Sequence, residues 1–214
     1  MAVEARQEGR TVTIFEGVSL ALEAGEIVDL VGPSGSGKTT LLRVLARLHS
    51  RTSGTLLLDG VPDGDIGPVA WRLAVALVPQ KPVTMPGTVR DNLLLPWTLK
   101  AREGQTAPSD GELRELLSFV RLDDVGLARD SSQLSVGQVA RVALCRSFLT
   151  RPKVLLLDEV DAALDSESAS AVAAVVARLA LDGTACLRVR HRPPDGLAAR
   201  RVKLADGALS EEAV

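Results

Sequence analysis

The sequence predicts an α/β fold with a helical segment inserted into it, and three observations carry that prediction. Apolar runs such as EIVDLVG (26–32) and KVLLLDE (153–159) have the length and make-up of strands buried on both faces. Helical patterns follow both runs, with leucines or small apolar residues three and four apart. From about 86 to 150 the strand patterns give way to helical ones. The 214 residues suit one sizeable domain, and an apolar fraction of 46% supplies its core. Aromatics make up 2% with no Tyr, so that core must be built from Leu, Val and Ala.

Taken in order, TVTIFEGVSLALEAGE (11–26) alternates and turns like a β-hairpin or meander. EIVDLVG is a buried parallel strand ending in glycine. The loop GPSGSGKTT follows, then the helical TTLLRVLARLHS. GTLLLDG (54–60) reads as a strand between turns, and WRLAVALVPQ (71–80) as another ending at Pro79 and Gln80. GTVRDNLLLPW, DGELRELLSFVRL and SVGQVARVALCRSFLT are helical, with a loop over 100–111. The last of these helices stops before Pro152, because a residue preceding proline is pushed out of the helical region. KVLLLDE returns to a buried strand, SESASAVAAVVARLALDG (166–183) is a helix with a glycine stop, and 184–191 and 200–209 close the fold as strands. Strand–helix alternation at both ends around a helical middle describes one α/β core (1–85 and 151–214) with a helical subdomain at 86–150.

The net charge of −2 gives no support to a nucleic-acid face. Cys145 and Cys186 lie in apolar stretches and read as buried, reduced thiols of a cytosolic protein. The first ten residues lack an apolar signal region, and no stretch approaches the roughly 20 apolar residues of a membrane span. Any membrane role is therefore expected to come through a partner.

Gly32, Gly37, Lys38 and Thr39 match G-x-x-x-x-G-K-[ST], with the apolar strand before and helix after that this pattern requires. Across Gly32, Pro33, Ser34, Gly35, Ser36, Gly37, Lys38, Thr39 and Thr40, glycines let the backbone wrap phosphates closely, and the helix start adds its positive dipole end. Lys38 is placed to reach the β and γ phosphates, and the Thr39 hydroxyl to ligate Mg²⁺. VLLLDE delivers Asp158 and Glu159 at a strand's C-terminal end, where open α/β sheets bind ligands. Asp158 is placed to hold Mg²⁺ or its water. Glu159, one residue on, is placed to orient and deprotonate an attacking water.

A second phosphate seat is written at QLSVGQVAR (133–141), where Ser135 is a good helix N-cap. On its own it is only a cap. In chain order, however, the sequence has Gly32–Thr40, Gln80, Leu134–Gln138, Val154–Glu159, AALD (162–165) and His191. Here the whole chain resembles the ATP-binding subunits of ABC transporters.

The resemblance implies a P-loop NTPase (RecA-like) core with an antiparallel β subdomain and an inserted α-helical subdomain. It implies ATP and Mg²⁺ as cofactors and ATP hydrolysis coupled to transport. It also implies a homodimer in which ATP on one chain's phosphate loop is completed by the other's Ser135, Gly137 and Gln138. On the same footing Gln80 senses Mg²⁺, Asp165 lines the dimer contact, and His191 contacts the γ-phosphate. The partner expected is a transmembrane permease subunit, with the chain peripheral on the cytoplasmic face of the inner or plasma membrane and no nucleic acid involved. Within the family, GTVRDNLLLPW and the small helical lobe look like the iron-export (FetA/YbbL-like) group.

The sequence also departs from the family. Val136 stands for the first signature glycine, Ala162 for a usual serine, and Arg192 for a common aspartate. The aromatic that usually stacks on adenine is absent, leaving Arg6 as a substitute. Three rival readings are a soluble ABC-type ATPase of DNA maintenance, one of iron–sulfur cluster assembly, and a nucleotide-binding regulator without turnover.

Overall fold

The computed structural model describes residues 1–7, 10–162 and 164–212. Its centre is a six-stranded sheet of β3 (Ile27–Val31), β6 (Val75–Val78), β7 (Val154–Asp158), β8 (Ala185–Val189), β9 (Arg200–Ala205) and β10 (Ala208–Glu212). Their order across the sheet is β10-β9-β3-β8-β7-β6. All neighbours run parallel except β10, which closes the edge antiparallel to β9.

Successive side chains of a strand point to opposite faces, so an apolar run feeds two cores. In β7, Leu155 and Leu157 pack on one face and Leu156 on the other. The first face is covered by α5 (Val136–Leu149) and α6 (Ser166–Leu181), with Val172, Val175, Val176 and Leu179 of α6 in its core. The second is covered by α1 (Lys38–Leu45), through Leu41, Leu42 and Val44. Between β6 and β7 the chain forms α3 (Val89–Leu94), α4 (Asp110–Phe119) and α5. Thr88, Ser109 and Ser135 each cap the helix that follows them with a reciprocal capping box.

Three sequence readings are corrected. The N-terminal hairpin is formed by β1 (Val3–Gln7) and β2 (Arg10–Phe15). Its strands therefore lie over 3–7 and 10–15, and 16–26 is irregular, with left-handed Gly17 and Gly25 bending the chain. In 54–60, only Leu57–Leu58 is strand (β4), paired with β5 (Val61–Pro62). In 71–80, the first half is helix: α2 spans Pro68–Ala74 before β6 begins. Proline is pre-set for the first helical position, and Pro68 starts the turn that places Trp71 in the core. There the Trp71 indole N–H donates to Leu45 O at 2.8 Å, satisfying a carbonyl left free at the end of α1. Both cysteines are free and buried.

Candidate functional site

Because β3, β8, β7 and β6 are parallel neighbours, their C-terminal ends share one edge of the sheet, where α/β proteins bind ligands. That edge gathers the phosphate loop after β3, His191 after β8, Asp158 and Glu159 at the end of β7, and Gln80 after β6. Motifs more than a hundred residues apart in sequence thus become neighbours.

The phosphate loop is shaped by backbone that only glycine tolerates well. Gly32, Gly35 and Gly37 have φ of 147°, 80° and 97°. A Cβ at Gly32 would stand 2.1 Å from Leu204 O. Nothing lies within 4 Å of a Cβ at Gly35, so the loop is open there. The Lys38 ammonium donates to Gly32 O at 2.8 Å and Pro33 O at 2.9 Å, so it already lies across the loop. The Ser36 hydroxyl is buried without a partner, a donor a phosphate oxygen could take. A cavity of about 750 Å³ flanks the loop, walled by Val12 and Ile14 of β2, residues 33–36 and the turn at 206–208. The Arg6 side chain lies outside the described residues.

At the start of α1, the Thr39 hydroxyl donates to Asp158 Oδ1 at 3.1 Å. Burial pushes the Asp158 carboxyl above its usual range, and the Thr39 hydrogen bond draws it back while the neighbouring charge of Glu159 raises it further. A hydroxyl beside a carboxylate is a hard-oxygen donor pair that suits Mg²⁺.

Glu159 is the hub. Its backbone N–H continues the ladder to Val189 O at 3.2 Å, and its φ of 51° then turns the side chain off the strand. Gln80 Nε2 donates to Glu159 Oε2 at 2.8 Å, and His191 Nε2 stands 2.8 Å from Oε1. Sequence reasoning proposed these three separately, and the structure brings them onto one carboxylate.

Ser135, Gly137 and Gln138 lie elsewhere. The Ser135 hydroxyl accepts from Gln138 N at 3.3 Å, and Gln138 Oε1 accepts from Ser135 N at 3.0 Å. Gly137 faces Leu164 and Ser168, and Val136 is 75% exposed. Among the described residues, no hydrogen bond joins 135–138 to 32–40. Asp165 caps α6, accepting from Ser168 N at 2.8 Å and from its hydroxyl at 2.9 Å.

Sequence reasoning missed a buried charge network behind the site. Asp29 sits opposite Arg188 in the parallel β3–β8 register, on the α6 side of the sheet. Arg188 Nε donates to Asp29 Oδ1 at 2.8 Å, and its Nη1 donates to Asp195 Oδ2 at 3.0 Å. Burial pushes the Asp29 carboxyl up against the pull of Arg188, whereas burial of Asp195 is outweighed by its Arg188 hydrogen bonds, which hold it low. The signal was present: one acid, Asp29, inside the otherwise apolar run IVDLV and two arginines within CLRVRH, at strand spacing. A charge inside a buried strand has to find its opposite.

The family described as ABC transporter matches residues 15–162. The chain belongs to that family, as an ATP-binding, ATP-hydrolysing domain. Protein STAR1 of Oryza sativa subsp. japonica is 41% identical over 81% of the chain and 49% of its own length. The probable iron export ATP-binding protein FetA of Escherichia coli (strain K12) is 38% identical over 72% of the chain and 67% of its own. This ABC domain therefore spans about half to two thirds of these relatives. A structure of the ATP binding subunit of an ABC transporter superposes with a TM-score of 0.83, covering 99% of the chain and 88% of that subunit at 23% identity, a likeness of fold. A bacterial Atm1-family ABC exporter with ATP bound gives 0.83 at 26% identity, over 99% of the chain and 37% of the exporter. The DNA-maintenance and iron–sulfur readings are not favoured by these likenesses. Among the described residues no helix is long and apolar enough to cross a membrane.

Proposed function

We propose that this domain powers a transmembrane permease by binding and hydrolysing ATP between two copies of itself. The observation that carries the reading is the convergence of Gln80 and His191 on the Glu159 carboxylate, at the sheet edge that also bears the phosphate loop. The nucleoside lies in the cavity against Val12 and Ile14, and the triphosphate runs along Gly32–Thr40, with the Ser36 hydroxyl and the Lys38 ammonium as donors. Thr39 and Asp158, with Gln80, would hold Mg²⁺, which when bound would neutralise charge at the phosphates. Glu159 accepts the proton of the attacking water, and Gln80 and His191 fix its carboxylate and report on the γ-phosphate.

The Ser135–Gln138 segment makes no polar contact with its own phosphate loop. That supports its service to a second copy, whose ATP it caps with the N-terminus of α5. A two-fold pair then holds two nucleotides, and hydrolysis removes the bridge. The helical lobe at 86–150 passes this movement to the permease at the cytoplasmic face of the membrane. The likeness to FetA supports metal (iron) export as the cargo class, with selection made by the permease.

The test pairs two substitutions. Glu159→Gln is expected to abolish phosphate release and to trap an ATP-dependent dimer in size-exclusion chromatography. Adding Ser135→Arg to it should return the protein to monomer with ATP still bound. Native turnover by Glu159→Gln removes the base assignment, and a persisting dimer in the double variant removes the shared site.

A further inference from the structure

His191 is flanked by two arginines that both reach back to the turn following Glu159. Arg190 Nε donates to Asp161 Oδ2 at 3.0 Å. Its Nη1 stands 2.7 Å from Asp195 Oδ2, an ion pair in which the N–H points off-line for a hydrogen bond. Arg192 Nε donates to Asp161 O at 2.9 Å, and its Nη2 donates to Leu164 O. The side chains of Arg190 and Asp161 are each only 9% exposed. His191, by contrast, has a 45% exposed side chain and, among the described residues, a single polar side-chain contact, with Glu159. The ring has little packing to fix it, and its place at the carboxylate is set by the backbone on either side.

We propose that Arg190 and Arg192 are positioning residues, which clamp segment 190–192 onto Asp161 and Leu164 and thereby hold His191 against Glu159 during hydrolysis. Among the described residues three contacts tie the two segments, one between side chains and two to backbone carbonyls, and they straddle the imidazole. Leu164, the far anchor, also faces Gly137 at the head of α5, so the clamp joins both halves of the proposed shared site within one chain. None of these contacts involves the phosphate loop, so the loop's own grip on ATP does not depend on the clamp. The inference rests on the assignment of Glu159 as the hydrolytic base.

The experiment is steady-state ATP hydrolysis by Arg192→Ala, Arg192→Lys and Glu159→Gln, each checked for folding by its thermal melt. Slight misplacement of a catalytic group costs up to about a hundredfold in rate, so Arg192→Ala should lower kcat by about ten- to a hundredfold with KM for ATP unchanged. Arg192→Lys should recover part of the rate, because one ammonium reaches one carbonyl at a time. If Arg192→Ala does not fold, Asp161→Asn, which keeps the carbonyl contacts and weakens only the grip of Arg190, should show the same split. Wild-type kcat in the folded variant, with Glu159→Gln inactive, overturns the clamp alone. So does a fall in kcat that comes with a raised KM and no relief by lysine. Native turnover by Glu159→Gln overturns the base assignment and the clamp with it.

Discussion

Single residues in the phosphate loop differ sharply in what they tolerate. Gly32 and Gly35 both have positive φ, but their surroundings are opposite. Alanine at Gly35 meets open space, so only the left-handed backbone resists it, at a cost of about 1–2 kcal/mol. Alanine at Gly32 meets that strain and also drives a methyl into the Leu204 carbonyl, which a strand in the sheet cannot yield. Gly32→Ala should therefore lose several times the stability lost by Gly35→Ala in urea unfolding, and lose ATP binding with it. Equal losses would mean that contact with β9 does not set the loop. Glu159 adds a further local strain: a non-glycine residue with φ of 51° sits where the chain leaves β7. The site accepts that strain because it turns the carboxylate toward Gln80 and His191.

Among the elements, the β4–β5 hairpin is too short to hold itself, and it is tied down by Asp63. That carboxylate accepts from Arg51 Nη1 and Nη2, both at 2.9 Å, and from Leu56 N at 3.1 Å. Burial works against its charge, but the Arg51 hydrogen bond, the Leu56 N–H and the Arg51 and Arg47 charges outweigh it and hold the carboxyl below its usual range. A depressed carboxyl stabilises the fold fully above its unfolded value and loses that contribution as pH falls through its folded one. Asp63→Asn should thus cost about 2 kcal/mol at neutral pH, the scale of losing hydrogen bonds to a charged group. The difference from wild type should shrink once the pH drops below about 4. A constant difference across that window would refute the ion pair as its source.

The same scale shows what could be read in the sequence. EIVDLVG, KVLLLDE and the alanine-rich 166–181 announced β3, β7 and α6, because burial on both strand faces leaves a nearly continuous apolar run and a helix leaves its own period. The switch from α2 to β6 inside WRLAVALVPQ left no such mark. Its seven residues carry too little period, and the hydrogen bond from Trp71 to Leu45 O that settles it is tertiary. The phosphate loop, Asp158 and Glu159 were legible from local pattern. Gln80 and His191 needed the ordered set of motifs, since nothing local distinguishes them. The network of Asp29, Arg188, Arg190, Asp161 and Asp195 escaped because its opposite charges meet only when β3 and β8 pair.

At the scale of the molecule, one chain carries both halves of the proposed shared site. The parallel strands deliver the loop and the Gln80–Glu159–His191 hub to one edge, while the head of α5, with Val136 exposed, makes no hydrogen bond to that loop among the described residues. The two native thiols, meanwhile, are chemically silent: burial pushes Cys186 to about 12 and Cys145 up as well. Optical labelling therefore needs no cysteine-free background. Val136→Cys should offer a maleimide dye one reactive sulfur per chain, while the native protein takes up none. In the Glu159→Gln background, ATP should slow that coupling sharply, and coupling that ATP leaves unaffected would show that nothing approaches this corner. The fold has, in effect, left a blank sheet on which a single fluorophore can report each closing and reopening of the proposed ATP-bridged pair in real time.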